Sequence, residues 1–183
     1  AVREGDRPVG SAAPDLKALI KDVPDFPKKG IVFKDITPLL ADAAGFKKVI
    51  DDLAAPFLGQ GITVVAGIES RGFLLATPVA YRLGAGVVPI RKKGKLPRAV
   101  HKASYALEYG TDSIEAHSDA LGPKDKVLLI DDVLATGGTA KAACELIAAL
   151  GGTLAGVCFL IELGFLNGRE KIPGKKIHSL ITY

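Results

Sequence analysis

The sequence predicts an α/β fold: a parallel sheet covered by helices on both faces. Three observations point there. Apolar stretches of strand length, at residues 62–68, 87–90, 127–130 and 154–161, alternate with segments whose apolar residues recur at helical spacing. At 127–130 the run Val-Leu-Leu-Ile is unbroken, the pattern of a strand buried on both faces rather than half-exposed. Two of the strands run straight into a polar, glycine-containing turn and then a helix, the order of a βα unit whose ligands gather at the carboxyl ends of the strands.

Composition narrows the class. With 183 residues, 48% hydrophobic content and a mean hydropathy of +0.27, the chain can build one domain with a sizeable core and is not a disordered protein. No apolar run reaches the length of a membrane span, and residues 1–14 lack the apolar region of a signal peptide, so a cytoplasmic protein without membrane attachment is expected. The net charge of +4 comes largely from Arg91, Lys92, Lys93, Lys95 and Arg98, with a second group at Lys175 and Lys176. No aromatic residues are interleaved with them and no nucleic-acid module is present. Basic residues gathered on one loop suit a small polyanion equally well, and nucleic acid is not expected. Cys144 and Cys158 sit among apolar residues and read as packed thiols. His101, His117 and His178 have no ligand spacing.

In chain order, residues 1–13 are polar and contain Gly and Pro, a flexible leader. Pro14 and Asp15 open a short helix through Leu16, Leu19 and Ile20. Residues 24–40 carry too many prolines for regular helix, and Phe26, Ile31, Val32 and Phe33 predict a short extended piece between turns. From 43 to 58, Ala44, Phe46, Val49, Ile50, Leu53 and Ala54 form the apolar stripe of a covering helix, with Lys47, Lys48, Asp51 and Asp52 opposite. The strand at 62–68 ends in Glu69-Ser70-Arg71-Gly72 before a helix through Phe73 and Ala80. At that tip Arg71 suits either a bidentate anion contact or a surface ion pair. After the strand at 87–90, residues 92–118 run long without a helical stripe. They predict a lid containing a β-ribbon, 104–109 turning at Gly110 into 113–116.

The most informative stretch is Lys126 to Thr139, KVLLIDDVLATGGT. Its strand delivers Asp131 and Asp132, and the small residues Ala135, Thr136, Gly137, Gly138 and Thr139 let backbone amides converge where a helix begins at Thr139. Converging amides at a helix N-terminus bind anions, most naturally phosphate. The two acids cannot serve that phosphate; they suit ribose hydroxyls or Mg²⁺. Together they point to a phosphorylated sugar. That helix runs to Leu150 and stops at Gly151-Gly152, a strand at 154–161 carries Glu162 and Leu163 at its tip, Gly168 to Lys171 reads as polar turn, and a strand at 177–183 closes the sheet.

VLLIDDVLATGGT resembles the 5-phosphoribosyl-1-pyrophosphate (PRPP) loop of type I phosphoribosyltransferases, in the form seen in the adenine phosphoribosyltransferases. GIESRGF is similar to that family's pyrophosphate loop, PDFPKKGIVFKDITPLL to its N-terminal hood and ASYALEYG to its mobile lid; the likeness spans nearly all of residues 24–183. The resemblance implies a single type I phosphoribosyltransferase domain over 1–183, with the hood at 24–40 and the lid at 92–118. It implies transfer of the phosphoribosyl group of PRPP to adenine, giving AMP and pyrophosphate, with Mg²⁺ and as a homodimer. By the same resemblance Asp131 and Asp132 would hold the ribose hydroxyls, and residues 135–139 the 5′-phosphate. Arg71, Lys92 and Lys95 would meet pyrophosphate. Phe33 and Leu163 would sandwich adenine while the backbone of Val32 and Lys34 reads its edge. Glu108 would serve as acid/base in a lid that also carries Tyr105 and Tyr109. Lys34 stands where many relatives have Arg. Mg²⁺ would be held mainly through PRPP and water. The alternatives are a 6-oxopurine phosphoribosyltransferase and a non-catalytic PRPP-sensing regulator that binds nucleic acid.

Overall fold

The computed structural model describes residues 14–107 and 110–183. The chain divides into two compact units, Ala1–Val49 and Ile50–Tyr183. In the first, strands β1 (Lys21–Pro24) and β2 (Val32–Asp35) pair antiparallel, with Val23 opposite Phe33 and Asp22 opposite Lys34. Helix α1 (Thr37–Ala41) follows, and then α2 (Ala43–Ala54). Gly45 lets α2 start close to its neighbours: a Cβ there would come within 2.7 Å of Leu19 and 2.9 Å of Leu39.

Two expectations change here. The segment 16–20 is a hydrogen-bonded turn, not a helix. Asp15 Oδ1 accepts the Lys17 amide at 3.0 Å, but strand pairing claims the backbone from Lys21 onward. Conversely, residues 37–41 are helical although the proline count argued against helix. Pro38 sits in the first turn, where its missing N–H would have had no helical partner anyway.

The larger unit carries a seven-stranded sheet. Its strands are β3 (Val64–Ile68), β4 (Gly86–Lys92), β5 (Val100–Leu107), β6 (Gly110–His117), β7 (Lys126–Leu134), β8 (Thr153–Glu162) and β9 (Ile177–Thr182), in the order β5-β6-β4-β3-β7-β8-β9. Strands β4, β3, β7, β8 and β9 run parallel, while the β5–β6 ribbon joins β4 antiparallel through Arg91–Glu115 and Lys92–Ile114. Helices α3 (Arg71–Leu83) and α4 (Gly138–Ala149) make the crossovers. The α/β class and the parallel sheet are as predicted.

The core forms because β3, β7 and β8 are buried almost throughout. Val65, Ala66, Val127, Leu128, Leu129, Ile130, Val157 and Leu160 are all at 0% exposure, and each larger aliphatic contributes about 1.5–3 kcal/mol relative to an exposed position. Helix α3 lies against this core at close range: a Cβ on Gly67 would stand 2.7 Å from the Ala76 Cβ. The aspartates do not end β7, as the sequence reading had it; the strand continues to Leu134, paired with Glu162 of β8. Gly110 lies in the returning strand opposite Leu107 rather than in the turn of the ribbon. No helix of the described residues is long and apolar enough to cross a membrane.

Candidate active site

The carboxyl ends of β3, β4 and β7 bring the chemistry together. Past Leu134 the chain turns through Ala135, Thr136 and Gly137 into α4, whose N-cap is Gly137 in the left-handed region at φ +82°. A side chain there would be strained, which is why glycine occupies it. The first amides of α4 have no partner one turn back and point outward with the positive end of the helix dipole. Asp131, Thr136, Gly138 and Thr139 line one pocket with Ala135 and Gly137, enclosing about 320 Å³ of free space including its open mouth. The structure thus brings Asp131 and all of residues 135–139 to one place.

Asp132 takes a different position. Successive residues of a strand point to opposite faces, and Asp132, a residue 6% exposed, receives the Arg71 Nε on its carboxylate. Asp131 is partly accessible in the pocket wall and accepts the Asp132 amide on Oδ1 at 2.9 Å. Helix α3 begins directly beside it: a Cβ on Gly72 would sit 3.0 Å from Asp131 Oδ1 and 3.0 Å from the Ile130 carbonyl. Burial of the carboxyl pushes the Asp131 pKa well above the ordinary carboxylate value, and the negative charge of Asp132 pushes it the same way, with Arg71 offsetting part. Two adjacent carboxylates that repel one another, with oxygen donors only, are a fitting neighbourhood for a hard divalent cation or for hydroxyl donors. No group of three or more metal-ligating side chains occurs among the described residues, so any such cation would complete its shell from substrate and water.

The basic residues near 92–98 are not the open cationic patch that charge alone suggested. Glu69, at the tip of β3, accepts the Lys92 amide at 2.9 Å, Lys95 Nζ at 2.7 Å and Arg91 Nε at 3.3 Å. Burial alone would raise the Glu69 pKa, but these three partners hold it below its ordinary value. Lys92 Nζ is bonded to Asp112 of β6 and donates to the Tyr105 hydroxyl at 2.8 Å, and Tyr105 in turn donates to Asp112 at 3.0 Å. Glu115, 2% exposed, accepts the Gly94 amide at 3.0 Å and so fixes the turn that carries these cations. Sequence reasoning missed Glu69, Asp112 and Glu115 as anchors, since each lies about twenty residues or more from the group it holds within residues 91–95 and no local spacing reveals the pairing.

The remaining expected site residues lie as follows. Phe33 packs edge-on against Phe26, with centroids 5.2 Å apart, and Lys34 Nζ pairs with Asp22 at 2.7 Å across the hairpin. Val32 is exposed on the same strand. Leu163 follows β8 and donates its amide to the Leu134 carbonyl at 2.9 Å. Glu108 and Tyr109 lie outside the described residues.

Comparison with known proteins agrees with this geometry. A family model for the phosphoribosyl transferase domain matches residues 38–178. The chain is 56% identical over 168 residues to adenine phosphoribosyltransferase of Nitrosococcus oceani, covering 92% of this chain and 98% of that protein. It is also 56% identical over 169 residues to the enzyme of that name from Geobacter metallireducens, covering 92% and 99%. Among solved structures, adenine phosphoribosyltransferase from Thermoanaerobacter pseudethanolicus superposes with a TM-score of 0.89 at 50% identity, over 92% of this chain and 98% of that one. The Giardia lamblia enzyme complexed with 9-deazaadenine superposes with a TM-score of 0.89 at 44% identity, over 95% and 99%.

Proposed function

The chain belongs to the phosphoribosyl transferase family, and from that premise we infer that it transfers the 5-phosphoribosyl group of PRPP to adenine, giving AMP and pyrophosphate. The observation that carries the reading is the pocket at the end of β7, where one aspartate and a cup of amides opening a helix suit a ribose and its 5′-phosphate. The relatives do not favour a 6-oxopurine substrate or a regulator without turnover.

In this reaction the bond from C1′ to the pyrophosphate oxygen breaks as N9 of adenine attacks C1′. Positive character develops on the ribose and negative charge on the leaving group, so the site needs anion donors and exclusion of water more than a protein nucleophile. Residues 135–139 hold the 5′-phosphate and fix the ribose, while the carboxylates of Asp131 and Asp132 accept from its hydroxyls. Arg71, Lys92 and Lys95 receive the pyrophosphate, exchanging their carboxylate partners Asp132, Asp112 and Glu69 for phosphate oxygens. Members of the family use Mg²⁺ with PRPP, and when bound the ion neutralises charge on the departing pyrophosphate. Phe33 stacks on adenine, backbone groups of Val32 and Lys34 read its edge, and Leu163 covers its other face. The Asp22 ion pair engages the Lys34 side chain, which supports reading the base through the main chain. Glu108 relays the proton at N7 as N9 attacks, and Tyr105 and Tyr109 belong to the lid that closes over the reactants. The enzyme works as a homodimer, a reading supported by Leu74 and Tyr81, two turns apart on α3 and 52% and 90% exposed.

The test is a base panel with PRPP, with and without Mg²⁺. AMP formation from adenine, with little turnover of hypoxanthine, guanine or xanthine, is expected. Preference for a 6-oxopurine would overturn the assignment of the hood, and salt-sensitive nucleic-acid binding without turnover would overturn the enzyme.

A further inference from the structure

Gly168–Lys171, expected from the sequence as a polar turn, forms a short 3-10 helix that packs against the back of the phosphate cup. A Cβ on Gly168 would lie 2.3 Å from the Ala135 carbonyl oxygen and 3.0 Å from Leu134 Cγ. From the other side, a Cβ on Gly137 would lie 2.3 Å from the Gly168 carbonyl and 2.9 Å from the Lys171 Cβ. Two glycines thus bring the two backbones into direct contact, leaving the cup no room to retreat. The turn is itself tied down. Arg169 donates through Nε and Nη2 to the two carboxylate oxygens of Glu162, at 2.5 and 2.6 Å. Glu162 ends β8 directly opposite Leu134, the last residue before the cup. Glu162 is buried, at 6% exposure, and Arg169 holds its pKa below the ordinary value, with burial acting the other way. The circuit runs from Glu162 across the sheet to Leu134, along the cup to Ala135 and Gly137, across to Gly168, and back through Arg169.

We propose that Gly168 and the Arg169–Glu162 ion pair are positioning elements for 5′-phosphate binding: they set the conformation of residues 135–139 without touching substrate. The proposal rests on reading those residues as the phosphate site. Amides preorganised on an anion lose much of their effect when displaced, and a bidentate pair with a buried carboxylate is rigid enough to hold them. In Gly168→Ala the Ala135 carbonyl must move by about 1 Å to reach ordinary contact distance, a displacement that at a reacting site costs on the order of 100-fold in kcat/KM. In Arg169→Ala the cup keeps its sequence but loses its brace.

The experiment compares wild type, Arg169→Ala, Arg169→Lys and Gly168→Ala by steady-state kinetics and by calorimetric binding of AMP and adenosine, which differ only in the 5′-phosphate. Arg169→Ala is expected to raise the KM for PRPP about tenfold, because the amides of residues 135–139 lose part of their alignment on the phosphate, while kcat and the KM for adenine stay within about twofold. AMP affinity should fall with it and adenosine affinity should not, and Arg169→Lys should recover part of the loss. Unchanged PRPP and AMP binding in Arg169→Ala and Gly168→Ala, or parallel losses for AMP and adenosine, would overturn the proposal. So would a Gly168→Ala chain that does not fold combined with a wild-type-like Arg169→Ala. A wild type that binds AMP no better than adenosine would overturn the phosphate reading and this proposal together.

Discussion

Replacing Asp131 by Asn should make the protein more stable and a worse enzyme. Asn is isosteric and keeps an oxygen to accept the Asp132 amide, now at 2.9 Å, so the local backbone has no reason to move. What disappears is a carboxyl whose charged form is disfavoured, first by burial and then by the charge of Asp132. A carboxyl with a raised pKa in the folded state contributes fully below its ordinary value of 3.8, and that contribution declines as pH rises toward the raised value. The stability advantage of Asp131→Asn is therefore nearly absent at pH 4 and largest at pH 8. Relieving such functional strain is worth on the order of 1 kcal/mol, or about 2–4 °C in Tm for a chain of this size. Activity moves the opposite way. A ribose hydroxyl loses its charged acceptor, about 1.5–3 kcal/mol, so kcat/KM for PRPP should fall roughly 10- to 150-fold. Thermal unfolding at pH 4, 6 and 8, alongside steady-state kinetics, reads both effects. A variant that is less stable at pH 8, equally stabilised at every pH, or fully active would refute the account of this pair.

Other outcomes follow from the same structure. Phe33→Ala should raise the KM for adenine by one to two orders of magnitude, since base stacking is worth about 1–3 kcal/mol, and leave the KM for PRPP nearly unchanged; equal effects on both substrates would separate the hood from base recognition. Glu108→Gln and Glu108→Ala should slow the chemical step by about 10²–10⁴, measured by single-turnover AMP formation, and wild-type rates would remove Glu108 from the mechanism. Burial pushes the thiols of Cys144 and Cys158 up to about 11 and about 12, so neither should react with Ellman's reagent at pH 8 until the chain is unfolded. Rapid modification of the native enzyme would contradict their packing.

What the sequence made legible was what depends on local chemistry. The apolar run at Val127 to Ile130 announced a buried strand, and the small residues at 135–139 announced a tight turn into a helix, because such a turn demands glycine at a left-handed position such as Gly137. The stripe from Ala44 to Ala54 announced α2 because apolar residues at helical spacing form one core-facing side. What stayed hidden depends on distant approach. Gly168 reads as a turn residue until the Ala135 carbonyl is seen against it, and Arg169 as a surface charge until Glu162 is found beneath it. The partners of Lys92 and Lys95 stayed hidden because Glu69 and Asp112 reach them only through strand pairing. Pro38 misled because proline breaks helices in their interior and not in their first turn.

The structure of the protein crystallised with AMP tests the central claim most directly. The 5′-phosphate should lie within hydrogen-bond distance of the amides of residues 136–139, with the ribose hydroxyls turned toward Asp131 and Asp132. A nucleotide bound elsewhere, or a phosphate that makes no contact with that turn, would contradict it.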